Sequence, residues 1–161
     1  MAEENIHNGE VVKSMKKGPL RMVGGILFNL FLYVAIVVSI VFGLPKYLSW
    51  QFGTEYPMAA ITSGSMWPVL HTGDFTLIRA VPQEIIAVGD IVVWKNEKGF
   101  TIHRVVKLDK DTLTTKGDAN FTEDPPVRYQ DVVGRVVMFF GKPTRIPYLG
   151  YISMIRAEGL K

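Results

Sequence analysis

No cysteine occurs among the 161 residues. That absence removes disulfide scaffolds, thiolate zinc sites and every mechanism built on a thiol nucleophile. Charge of one sign is also scarce, with 18 Lys and Arg against 15 Asp and Glu and a net charge of +3. The excess is diffuse, +1 over residues 1–44 and +2 over the remainder. Nucleic-acid binding needs basic residues gathered on one face, so no nucleic-acid partner is expected. The three histidines, His7, His71 and His103, do not stand at metal-ligand spacing from one another, and neither a metal nor another cofactor is implied. Internal repeats and low-complexity tracts are missing too. The length allows one modest domain plus a short appendage.

Long apolar runs are rare but not absent. Residues 22–44, MVGGILFNLFLYVAIVVSIVFGL, form a stretch of 23 without a charge, in which Asn29 is the only strongly polar member. As a helix it reaches roughly 35 Å, enough to cross a hydrocarbon core of about 30 Å. A buried soluble helix apolar on every side would need more surrounding protein than this chain supplies. A cleaved leader would have a shorter apolar run, of about 7–15 residues, and a small-x-small exit, where this chain continues Pro45-Lys46-Tyr47-Leu48-Ser49-Trp50. Lys13, Lys16, Lys17 and Arg21 precede the run and only Lys46 closely follows it, which predicts a cytoplasmic N-terminus. The expected organisation is a basic cytoplasmic tail over 1–21, a transmembrane helix over 22–44 and an extracytoplasmic domain over 45–161. The lipid bilayer is then the first partner, with Tyr47, Trp50 and Tyr56 suited to its interface.

Residues 45–161 alternate apolar and polar positions in short runs rich in β-branched residues, which predicts a mainly β domain. Candidate strands are 58–62, 75–80, 90–96, 100–108, 112–116 and 132–140. Glu97-Lys98-Gly99 and Asp109-Lys110-Asp111 mark reversals, and Gly73-Asp74 and Gly89-Asp90 each open a strand. The apolar segment 148–155 is too short to span a membrane. A place on the bilayer surface and a place over one end of the domain both remain open for it.

The chemistry concentrates in Thr62-Ser63-Gly64-Ser65-Met66-Trp67-Pro68. A glycine before Ser65 and a proline after it would present a hydroxyl on a sharply turned backbone, as a nucleophile requires. Met66 and Trp67 fit either the core or the bilayer surface. A serine hydroxyl is weakly nucleophilic at neutral pH and needs a base. His103, in a strand between Ile102 and Arg104, and His71, in a loop, are the candidates, since His7 lies across the membrane. Imidazole titrates near neutrality, which suits proton shuttling. A third group must orient the imidazole, usually a carboxylate. Asp118 and Asp124, both in the polar loop after residue 116, are available, and chemistry alone does not rank them.

Taken together these residues resemble the type I signal peptidases, membrane-anchored serine proteases that remove signal peptides. The likeness rests on the order of several boxes behind the apolar run: Ser63-Gly64-Ser65-Met66-x-Pro68, Gly73-Asp74, Gly89-Asp90-Ile91-Val92, His103-Arg104-Val105-Val106, Lys116-Gly117-Asp118-x-Asn120 and Val133-Gly134-Arg135-Val136. Histidine at position 103, where the other branch carries lysine, is similar to the archaeal and endoplasmic-reticulum-like branch. The resemblance implies a signal-peptidase-like β-barrel or sheet domain behind a single transmembrane helix. It implies Ser65 as nucleophile, His103 as general base, Asp124 as the triad acid and Asp118 as a supporting residue of the loop. It further implies an oxyanion hole from the Ser65 backbone N–H and the Ser63 hydroxyl. Substrate is expected as an extended strand against Met58, Ala59, Ala60, Ile61 and Thr62, and preprotein signal peptides with small-x-small sites are the implied substrates. Accessory subunits are compatible with this likeness, as eukaryotic relatives work with them. Ala119 departs from the asparagine common in the family, and Pro125-Pro126 stiffens the loop. The competing class is a membrane-tethered β module that binds or scaffolds a partner without catalysis, and its mark would be a broken triad.

Overall fold

A computed structural model describes residues 19–97, 99–151 and 154. Most of the expected basic tail, Lys98 of the expected reversal and part of the apolar C-terminal segment lie outside the described residues. The chain divides into two units, residues 1–42 and 43–161.

Where water is excluded, a backbone must satisfy its own polar groups, and a long apolar run does so as a helix. Helix α1, Pro19–Val38, is followed by a π-helical turn, Ser39–Gly43, and by α2, Leu44–Phe52. Pro45 falls in the first turn of α2, where its missing N–H would have had no helical acceptor. The stretch Val23–Phe52 is 30 residues long, with none of its most apolar window buried in the protein. It therefore continues past Leu44 through more polar residues that include Lys46, Tyr47 and Trp50, the last two with ring centroids 6.1 Å apart.

The second unit is built on an antiparallel sheet of seven strands: β1 (Met58–Ala60), β2 (Phe75–Arg79), β3 (Ile91–Asn96), β4 (Gly99–Leu108), β5 (Thr112–Lys116), β6 (Val127–Arg128) and β7 (Val132–Val136). Their order across the sheet is β1-β2-β7-β3-β4-β5-β6. An apolar N-terminal helix followed by a mainly antiparallel β domain is the expected fold class. Two details depart from the sequence reading. The run 132–140 is not one strand: β7 ends at Val136, and after Val137 the chain forms a separate hairpin of β8 (Met138–Phe139) and β9 (Lys142–Pro143), reversed by Phe140 and Gly141 with positive φ values of 48° and 76°. Strand β6, only two residues long, follows directly on Pro125-Pro126 and carries too little pattern to be read.

Residues Val92 and Val93 of β3 project to opposite faces, and both are fully buried. Each belongs to a different apolar cluster. Val93 joins Ile61, Met66, Leu70, Ile78 and Val136; Val92 joins Ile86, Val105, Leu113 and Val127. A strand covered on both faces needs a continuous apolar run, which explains Ile91-Val92-Val93 where simple alternation would have put a polar residue.

The two Gly-Asp boxes are one device used twice. Gly73 and Gly89 take φ of 86° and 97°, a region that side-chain-bearing residues rarely enter. Asp74 Oδ2 accepts the His71 N–H at 2.7 Å, and Asp90 Oδ2 accepts the Ala87 N–H at 2.9 Å. Each carboxylate also holds an arginine from later in the chain, Arg145 at 2.5 Å and Arg135 at 3.0 Å. The Gly150 N–H donates to the Gly73 carbonyl at 2.9 Å, and the Tyr151 ring occupies the space a Cβ on Gly73 would need. The beginning of the apolar C-terminal segment therefore packs on this turn.

Besides the outer edge of β6, two open strand edges lie near the serine-containing segment. Strand β1 is outermost. Strand β4 pairs with β3 from Gly99 to Arg104 but with β5 only from Arg104 onward, so among the described residues its second edge has no strand partner from 99 to 103.

Candidate active site

The ladder between β1 and β2 continues one step beyond the strands. Ile61 donates its N–H to Asp74 O at 2.9 Å and accepts from Gly73 N–H at 2.8 Å. The chain then enters consecutive turns, with Trp67 N–H on Gly64 O at 3.0 Å and Leu70 N–H on Met66 O at 2.9 Å. Met66 and Leu70 are the apolar anchors of these turns, 1% and 0% exposed, which leaves Ser65 at the rim. Met66 thus belongs to the core while Trp67 is exposed.

His103 lies on the stretch of β4 that pairs with β3 but not with β5, and the serine turn stands beside it. Its Nε2 is 3.1 Å from Ser65 Oγ, and its Nδ1 is 2.5 Å from Asp124 Oδ2. His103 is 7% exposed. Asp124 is tied to β5 twice, its N–H donating to Thr115 O at 2.8 Å and its Oδ2 accepting from Thr115 Oγ1–H at 2.6 Å. Ser63 Oγ is 3.2 Å from Ser65 Oγ.

Asp118 faces elsewhere. Adjacent residues of a strand project to opposite faces, so His103 and Arg104 each collect one aspartate. Arg104 Nε and Nη2 donate to the two Asp118 oxygens, both at 2.7 Å, and Nη1 donates to Gly89 O at 2.8 Å. Hydrogen bonding to Asp118 holds the Arg104 guanidinium above its ordinary pKa, against the opposing cost of burial and with help from the carboxylate charge. His71, the other candidate base, has its Nδ1 2.9 Å from Arg145 Nη2 and stands in the Asp74 turn.

A groove of about 610 Å³ runs between the two open edges. Met58, Ala59, Ala60, Ile61 and Thr62 line one side and lead to Ser63 and Ser65, while His103 of β4 lines the groove from the opposite side. The other side is Phe100, Thr101 and Ile102 of β4, which the sequence reading did not include. No local signal marks these three, because an open edge is a property of the pairing and not of the residues. Tyr56 and Phe100 meet with ring centroids 4.7 Å apart. Among the described residues no cluster of three or more His, Asp or Glu side chains is disposed to hold a metal ion. A hydroxyl within reach of an imidazole that is backed by a carboxylate can give up its proton as it attacks an electrophile.

No protein-family model matches the chain. It is similar to curated proteins, 36% identical over 141 residues to the signal peptidase complex catalytic subunit SEC11 of Metarhizium acridum, covering 77% of each chain. It is 33% identical over 144 residues to the signal peptidase complex catalytic subunit SEC11C of Homo sapiens, covering 80% of this chain and 72% of that protein. With the signal peptidase complex catalytic subunit SEC11 of Ogataea parapolymorpha it shares 32% identity over 154 residues, 80% of this chain and 84% of that one.

Proposed function

The chain belongs to the family of signal peptidase complex catalytic subunits, and on that premise we propose that it is a membrane-bound serine endopeptidase that removes signal peptides from exported preproteins. The observation that carries this reading is the hydrogen-bonded series Ser65, His103, Asp124 opening onto a groove framed by two unpaired strand edges.

In the proposed reaction a preprotein enters as an extended strand between β1 and the 100–102 stretch of β4. Backbone pairing supplies affinity, and alternate side chains turn toward the walls. Ala59 and Ala60 leave space for small residues before the cut. Ser65 Oγ attacks the scissile carbonyl while His103 Nε2 takes its proton. Asp124 keeps the other ring nitrogen protonated and balances the imidazolium that forms. The Ser65 N–H and the Ser63 hydroxyl stabilise the oxyanion, each such donor contributing roughly 3 kcal/mol. His103 then protonates the leaving amine, and water releases the signal peptide from the acyl-enzyme with the same histidine as base. Asp118, through Arg104, braces the loop that delivers Asp124.

The basic flank before the apolar helix supports a cytoplasmic N-terminus and an extracytoplasmic site. The names of the relatives, subunits of a complex, support accessory subunits as partners of this chain.

The test is cleavage of a preprotein bearing an Ala-x-Ala site by full-length protein in detergent and in lipid vesicles, followed by N-terminal sequencing of the product. Cleavage directly after the site, lost in Ser65→Ala and in His103→Ala, is the expected result. A wild-type protein inert on several preproteins in both media contradicts the reading.

A further inference from the structure

We propose that Thr115 is a positioning residue for the reaction, fixing through its hydroxyl the carboxylate that orients His103. The inference rests on the peptidase reading above and extends it to a residue that does not line the groove.

Thr115 is fully buried on β5, and a buried hydroxyl needs a partner. Its partner is Asp124 Oδ2 at 2.6 Å, the same oxygen that faces His103 Nδ1 at 2.5 Å. An ionised carboxylate only accepts hydrogen bonds, so the threonine is the donor. The backbone of the same residue accepts the Asp124 N–H at 2.8 Å. Asp124 comes late in a stretch, residues 117–126, that contains no strand or helix, and among the described residues Thr115 and His103 are the hydrogen-bond partners of its carboxylate. A free carboxylate at that point could rotate about its side-chain bonds. One threonine removes this freedom by holding both the main chain and the head group.

Topology explains why position 115 can do this. Thr115 pairs with Val105 across the β4–β5 ladder, and Val105 shares a face of β4 with His103. The hydroxyl is therefore delivered on the side of the sheet where the imidazole stands. The branched Cβ restricts χ1, so the donor is held ready without the rotamer freedom of a serine. Loss of the hydroxyl should lower the rate of the chemical step and leave substrate binding alone, because the groove walls are untouched.

The experiment compares full-length wild type with Thr115→Val, Thr115→Ser and Thr115→Ala in detergent, measuring kcat and KM on an Ala-x-Ala preprotein together with thermal unfolding. The expected result is a kcat lowered on the order of tenfold to a hundredfold in Thr115→Val, the range for losing a charge-assisted hydrogen bond, with KM unchanged. Thr115→Ser should restore most of kcat. If the valine variant does not fold, the ratio of the serine to the alanine variant reads the same hydroxyl. A double-mutant cycle completes the test: in an Asp124→Asn background Thr115→Val should cost little further activity. Equal kcat in Thr115→Val and wild type overturns the inference, as does an undiminished loss in the Asp124→Asn background. An inert wild type overturns the peptidase reading itself, so the two failures are distinguishable.

Discussion

The backbone N–H of Ala119 donates to the carbonyl oxygen of Ser65 at 2.9 Å, joining the loop that carries Asp124 to the turn that carries the serine. The side chain at 119 takes no part in this bond, so it places no demand on the residue type there. The serine turn and the loop of Asp124 are thus held in register by main chain, and His103 sits between them on a strand that neither pairs with.

Gly117 makes that junction possible. A Cβ there would come within 2.7 Å of both the Ser65 carbonyl oxygen and Asn120 Nδ2. Backbone cannot yield to such contact without a shift, and overpacking of this kind costs about 1–3 kcal/mol. Gly117→Ala should lower the melting temperature and reduce kcat, as read by thermal unfolding and cleavage of the same preprotein.

The two aspartates should separate cleanly by mutation. Asp124→Asn, which presents the wrong group to His103 Nδ1, should reduce kcat by on the order of 10⁴, the loss seen when a triad carboxylate becomes an amide. Asp118→Asn should leave kcat within about tenfold of wild type, while destabilising the fold by about 1–2 kcal/mol through the partly exposed Arg104 pair. Because the Arg104 pKa is raised in the folded protein, the stability it contributes is fully present below the unfolded guanidinium's pKa. That stability is lost only as pH rises through the folded value. Denaturant unfolding across the neutral range should therefore show no change traceable to Arg104.

Ser63→Ala should reduce kcat by about 10²-fold with little effect on KM, since the hydroxyl is asked to act on charge that develops only in the transition state. Steady-state kinetics distinguish this from a binding defect, which would raise KM alone.

Ala60 lines the groove beside the serine turn. Ala60→Leu should raise KM for Ala-x-Ala preproteins by about tenfold, as a larger side chain takes space that the substrate occupies. An unchanged KM would place the substrate elsewhere.

Much of this architecture was legible in sequence because it is periodic or local. The apolar run announces a helix, short runs rich in β-branched residues mark β2 to β5, and the Gly-Asp boxes mark turns whose aspartates bind their own backbone. What could not be read is relational. The hairpin after β7 hides inside an apolar run, since Met138 and Phe139 look like a continuation of the strand until Phe140 adopts a positive φ. The second wall of the groove exists because β5 begins its pairing with β4 only at Arg104, which no residue type encodes. Residue chemistry alone left Asp118 and Asp124 equivalent. The alternation of His103 and Arg104 along β4 distinguishes their partners, and alternation yields that result only once the loop's path over the sheet is known.

The central claim is that Ser65 and His103 act as one unit, and groups acting as a unit lose activity non-additively. The most direct measurement is kcat/KM for Ser65→Ala, His103→Ala and the double variant on one Ala-x-Ala preprotein. The account predicts that all three fall to the same low level. A His103→Ala variant that retains near-wild-type activity, or a double variant whose loss is the product of the single losses, would contradict it.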